Sequence, residues 1–442
     1  MGQSSLTTAI RRALLATVAF AAAPAFAGAD LYAGDDGKVT FNFDAVAGVF
    51  ANKDSWFGES RSFLGDNTDH WSEYGIEPRL SLEWKLGGGT LFGQLSAVHT
   101  QTGGDDASGL TIDNHDNSST NTEQANLGWK ISDPLDSLKG YEFSVSAGRQ
   151  DYKIGSGMLI ADGGSDGGDF GGWYIGMRKA HQESAIVQLK SDKLLAETFR
   201  IKNRPRSGGI QGEAYGVNAE YTFLGTTKLG GSYMKVDANE QGIDELDVWD
   251  GRLDWTPDGA LSGVGVSGEY AHQDSAQIDA DGWFAQGSYQ FQKAPWTPSL
   301  IYRYAHFDGD DPDSTRNEGW RNLAYGFTDY GSWYQGEISG NYPLSNTSLN
   351  SHLYRIKAQP SETITLNLMY YDFWFDEPSV LGSGVTSDDW GNELNFTIDW
   401  AATESIYVIG VLGNLSPGKA AEQWTGGDKD WRYSMLYISY TY

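Results

Sequence analysis

Between Glu73 and Lys85 the chain alternates: Tyr74, Ile76, Pro78, Leu80, Leu82 and Trp84 fall on one face of an extended strand, and Glu77, Arg79, Ser81, Glu83 and Lys85 on the other. The period of two recurs along the whole chain, usually with an aromatic near one end of the apolar face, while helical periodicity is scarce. An apolar face edged by aromatics and backed by charges is the pattern of a strand that meets lipid on one side and water on the other. On this reading strands lie near 38–50, 73–85, 90–100, 121–131, 141–153, 172–191, 193–203, 213–223, 228–237, 247–257, 263–273, 282–292, 297–307, 348–359, 363–373, 390–401, 405–414 and 432–442. The segment 172–191 also admits a split in two. Eighteen is an even count, and short turns alternate with longer segments, as an antiparallel transmembrane barrel with both ends in the periplasm requires. The expected fold is therefore all-β: one closed outer-membrane barrel spanning 28–442.

Composition narrows the alternatives. Among 442 residues there are 16 Trp, 24 Tyr and 19 Phe, but no internal run that reaches the length of about 20 apolar residues a membrane-spanning helix needs. Arg11 and Arg12 precede the apolar run Ala13 to Ala23, and Pro24 leads into the small-residue site Ala25-Phe26-Ala27, so residues 1–27 read as a cleaved signal peptide. Export plus a barrel pattern points to the outer membrane of a Gram-negative cell. The absence of cysteine removes disulfides, lipoprotein attachment and thiolate metal sites. At the C-terminus Leu436, Ile438, Tyr440 and Tyr442 share one face and the chain closes on an aromatic, which resembles the signal read by the barrel assembly machinery.

The net charge of −28 resides largely in the long segments, as at Asp105, Asp106, Asp113 and Asp116, at Asp162, Asp166 and Asp169, and at Asp308, Asp310, Asp311 and Asp313. Such acids keep a cell surface soluble or hold divalent cations that bridge lipopolysaccharide. The run Asp308 to Asp313 resembles a calcium loop but lacks its Gly at the sixth position and its Glu at the twelfth. Parity gives the lumen a mixed wall: Arg79, Lys130, Arg178, Arg200, Lys202, Arg252, Arg303, Arg355 and Lys357, with Asp44, Glu77, Glu220, Asp250, Asp254, Glu269 and Glu393. Arginines there offer planar forks for carboxylates, and facing acids hold those forks across the pore or simply brace the wall. Arg204 and Arg206 are expected at the outer mouth.

The segments Gly148-Arg149-Gln150-Asp151-Tyr152-Lys153-Ile154-Gly155, Tyr302-Arg303-Tyr304-Ala305-His306-Phe307-Asp308-Gly309-Asp310 and Leu412 to Ala421 resemble the alginate export porin family. That resemblance implies an eighteen-stranded barrel passing a polyuronate, or in many members an uncharacterised solute, through an arginine-lined constriction, with Arg149, Arg303 and Arg355 at matching positions. Arg149 has outward parity and needs a bulge to reach the lumen.

The function expected is a passive channel for an anionic saccharide or polyuronate such as alginate, and the alternative is an uptake porin for small carboxylates, amino acids or other small solutes. Outer-membrane lipid, lipopolysaccharide and the anionic solute are the expected partners, with no cofactor. The seven histidines, among them His306 and His352, show no spacing of a catalytic triad or metal centre. An energy-coupled receptor would need a plug domain before the strand near Lys38. So acidic a chain gives no support to nucleic-acid recognition.

Overall fold

A computed structural model describes residues 28–65, 69–109, 116–164, 167, 170–203, 212–238, 243–326 and 332–442. The expected signal peptide, Arg204, Arg206, His115, Asp113, Asp166 and Asp169 lie outside the described residues.

The alternating segments form long antiparallel strands. In chain order they are β1 (Ala29–Gly34), β2 (Gly37–Lys53), β3 (His70–Leu86), β4 (Gly89–Gly104), β5 (Asp116–Ser132) and β6 (Glu142–Gln150). Next come β7 (His181–Lys190), β8 (Leu194–Lys202), β9 (Glu213–Phe223), β10 (Thr227–Ala238), β11 (Ile243–Trp255), β12 (Val264–Asp274) and β13 (Asp279–Gln290). The last six are β14 (Ser299–Phe307), β15 (Leu349–Ser361), β16 (Ile364–Phe375), β17 (Asp389–Ala401), β18 (Ile406–Pro417) and β19 (Trp431–Thr441).

Each strand from β2 onward pairs with the next, and β19 pairs back onto β2, closing a barrel of eighteen strands. At the seam the backbones of Phe43 and Tyr442 exchange two hydrogen bonds of 2.9 Å. The remaining strand, β1, precedes the first strand that the alternation predicts. It runs along Gly37 to Phe41 of β2, below the stretch Asp44 to Lys53 that β19 covers, so it shields an edge that the shorter β19 leaves open. Closure removes every other edge.

The outside is apolar. On β17 the outward residues Leu394, Phe396, Ile398 and Trp400 are exposed, while Glu393, Asn395, Thr397 and Asp399 between them are buried. Aromatics ring both ends of this band. Tyr221, Phe223, Tyr289 and Tyr440 sit toward the short turns, and Tyr215 and Trp249 toward the long segments, with Tyr302 and Tyr354 paired between them.

The outer half of the lumen departs from the expected wet interior. The described residues of 151–180 and 308–348 fold into the barrel instead of rising from it, joined by a parallel bridge between Ile160 and Ala324. They bury Tyr152, Ile154, Leu159, Trp320 and Trp333 against the wall residues Phe199, Met234, Val248 and Phe307. A second apolar cluster joins Trp56, Phe57, Trp71 and Tyr174 to Tyr371, Phe373, Trp390 and Trp431. The strand expected at 172–191 therefore starts only at His181, because its first half belongs to an inward segment.

Candidate functional site: the lumen and its inward segments

Where the wall meets water it keeps the polar parity read from sequence. Arg79 lies 3.0 Å from Asp44 and 3.2 Å from Glu77. Across three strands, Arg252 is bound by Asp250 and Asn218 and lies 3.5 Å from Glu220. Lys228 bridges Glu220 and Asp254 at 3.3 and 3.6 Å. Arg355 grips the Asn367 amide oxygen through Nε and Nη2 at 2.9 and 2.8 Å, and Lys357 sits in register with Asn367 on the same face. These cations are spread around the wall on different strands. Fixed by neighbouring oxygens, each guanidinium keeps its pose at little entropic cost.

Three of the expected positions, Arg200, Lys202 and Arg178, are placed differently by the fold, and a fourth, Arg303, keeps its inward parity but is taken up by an inward segment. Arg200 and Lys202 face outward: on β8 it is Glu197, Phe199 and Ile201 that are buried, and Arg200 is exposed with Glu213 at 2.6 Å and Glu183 at 3.5 Å. Lys202 approaches Glu183 at 4.0 Å. The rule that apolar means outward inverts here, because the inward segments give the upper lumen an apolar filling. Arg178 is carried by an inward segment, not a strand, where it donates to Thr100 and Ser119 and stacks on Phe170 with 5.5 Å between guanidinium and ring centre. Arg303 is inward, but it donates to the Ser332 carbonyl at 3.0 Å and lies 4.9 Å over the Trp333 ring, so it holds the 308–348 segment.

Arg149 is turned by a bulge. The register of β6 on β7 slips between Gly148 and Gln150, and Gly148 takes φ +118, a conformation that suits glycine. The guanidinium is thereby brought within electrostatic reach of the buried Glu123.

The wall glutamates do something sequence parity did not show. Glu73 accepts the Tyr174 N–H at 2.8 Å, Glu123 the Ala180 N–H at 2.8 Å, and Glu269 the Ser156 hydroxyl at 2.5 Å. Glu197 accepts the Tyr152 hydroxyl at 3.0 Å, and Glu393 the N–H groups of Ile338 and Ser339 at 2.9 and 2.8 Å. Each is buried. An inward segment has no strand partner for these N–H groups, and a carboxylate supplies a strong acceptor. Glu269 and Glu393, expected as pore acids, are thus docking posts. So is the motif around Gly155, whose φ of +51 lets its backbone lie against Arg252, where a Cβ would come 2.3 Å from Cδ.

What remains facing water is a mixed rim. Asp151 and Lys153 are exposed on the inward segment. Asp151 lies within electrostatic reach of Arg79, and Lys153 of Lys228, Glu220 and Lys179. Off the strands, burial pushes the Asp162 carboxyl up to about 6, and burial with the neighbouring Glu393 pushes Glu337 up to about 7. The acids Asp310 and Asp311 of the calcium-like run serve local turns, accepting from Asn317 and Glu318 and from Asp313. No catalytic constellation is built at the lumen by the residues just described.

No protein-family model matches the chain, and no curated protein does. The resemblance to alginate export porins therefore gains no support from either comparison. Solved structures do match in fold. The crystal structure of Pseudomonas aeruginosa OccK7 (OpdD) aligns at 12% identity over 92% of this chain and 99% of its own, with a TM-score of 0.58. Pseudomonas aeruginosa OccK5 (OpdH) aligns at 11% identity over 91% and 97%, with a TM-score of 0.57. OpdQ of the same organism aligns at 12% over 92% and 97%, at 0.55. The chain closes as an eighteen-stranded barrel and shares its fold with these porins, a bacterial outer-membrane fold.

Proposed function

We propose that the chain is a passive outer-membrane channel for small charged solutes, carboxylates or amino acids, taken up by diffusion. The observation that carries this reading is the inward folding of 151–180 and 308–348, which fills the outer lumen with buried aromatics. A polyuronate needs a continuous wide conduit with an anion-binding lining. Here most wall arginines are already engaged by oxygens of the wall or of the inward segments. The water-facing rim, with the exposed Asp151 and Lys153, offers both signs of charge, as the two ends of an amino acid or the head of a short carboxylate require. The fold shared with the OccK and Opd porins supports a channel of this size class.

Swelling of liposomes containing the purified barrel tests it. Amino acids and short carboxylates should enter faster than uronate oligomers of several sugars. Equal entry of long oligouronates would overturn the small-solute reading.

A further inference from the structure

We infer that the outer rim carries a divalent transition-metal site made of His306, Asp308 and Asp376, at the neck of the 308–348 segment. One ligand atom from each residue lies within 4.8 Å of the others. His306 follows the buried, inward Ala305 and precedes the buried, inward Phe307, so its ring points outward, and Asp376 beside it is exposed.

The imidazole is held in one tautomer. The Asn350 amide oxygen accepts the Tyr304 hydroxyl at 2.9 Å and lies 2.7 Å from His306 Nδ1, which therefore carries the proton. Nε2 faces an Asp308 oxygen 2.8 Å away, a pair that shares a proton in the metal-free protein. A divalent cation seated beside that line would displace the proton and would answer the Asp376 carboxylate as well. The carboxylates are already oriented for it: the other oxygen of Asp308 accepts the Asp281 N–H at 2.6 Å, and Asp376 accepts the Gly309 N–H at 2.9 Å.

One imidazole nitrogen and two carboxylates suit zinc or a similar first-row ion, with a fourth position left for water or an anionic group, while a nitrogen donor argues against calcium. Asn350 is the outer-shell partner that fixes the ring. The ligands also bracket the inward segment: the Asp308 carbonyl accepts the N–H groups of Trp320 and Ser348 at 3.0 Å, and the Asp376 N–H donates to Ser348 at 3.0 Å. A bound ion would tie the start of that segment to the end of β16.

Calorimetric titration of the untagged barrel in detergent with zinc tests the assignment, with circular dichroism confirming that each variant keeps its strands. Wild type should show a single saturable site. His306→Gln, which keeps a hydrogen-bonding side chain, should abolish it, Asp376→Asn should weaken it at least roughly tenfold, and Asn350→Leu by about 10–100-fold. His352→Gln should leave it unchanged. Absence of saturable binding to wild type, or unchanged affinity in both His306→Gln and Asp376→Asn, would overturn the assignment.

Discussion

Leu80 and Ser81 are adjacent residues in different solvents. Leu80 is 40% exposed on the outer face, and Ser81 lies inward within 3.4 Å of Asn42. Replacing Leu80 by Arg should cost roughly 2–4 kcal/mol near the midplane, whereas Ser81→Arg should cost little, since its guanidinium meets the wet lumen. Urea titrations of tryptophan fluorescence in lipid vesicles would show the difference, and equal losses would mean that the faces are exchanged. The same alternation fails at Arg200, where the outward residue is the charged one. A side chain's neighbours, not its own polarity, decide that position.

The inward segments are the elements on which a channel of this kind depends, and each hangs on wall carboxylates. Replacing Glu393 by Ala leaves the N–H groups of Ile338 and Ser339 without their acceptor. A hydrogen bond to a charged group contributes about 1.5–3 kcal/mol, so the 332–344 stretch should loosen while the barrel stays closed. Limited proteolysis of the intact barrel should then cut within that stretch, and protection equal to wild type would count against the docking role. Glu337 on the same stretch gives the pH dependence. Its carboxyl is raised to about 7 by burial and by Glu393, so the folded state holds a proton that the unfolded state gives up between about 4.5 and 7. The stretch should accordingly be most firmly docked below pH 4.5 and lose that contribution as pH rises through 7. Glu337→Gln should flatten this dependence in hydrogen exchange.

At the scale of the whole molecule, selectivity should follow the rim and not the net charge of −28. In planar bilayers Lys153→Gln should shift the permeability ratio toward cations, while removal of an outer-loop charge such as Asp105 should change it far less. Equal shifts would give the control to the acidic mouth. Closure of the barrel is the second whole-molecule property. Deleting Tyr442 removes both hydrogen bonds to Phe43 at the seam as well as the terminal aromatic. We expect less folded barrel in outer-membrane fractions, and a Tyr442→Phe variant at wild-type level.

The sequence by itself determined the barrel. Period-two alternation needs no long-range information, since lipid imposes one solvent on every outward residue, and parity of short and long connections then sets the strand number. Sixteen of the expected strands overlap an observed strand along most of their length; that at 141–153 ends early, at Gln150, and that at 172–191 is a strand only in its second half. Tertiary structure alone decided what fills the lumen. Glu73 meets Tyr174, and Glu393 meets Ile338, across separations of 101 and 55 residues, and no local pattern marks those meetings. His306 reaches Asp376 in the same way. Once 151–180 and 308–348 turn inward, the upper lumen becomes an apolar interior with buried acceptors, and the inside of a barrel no longer behaves as water.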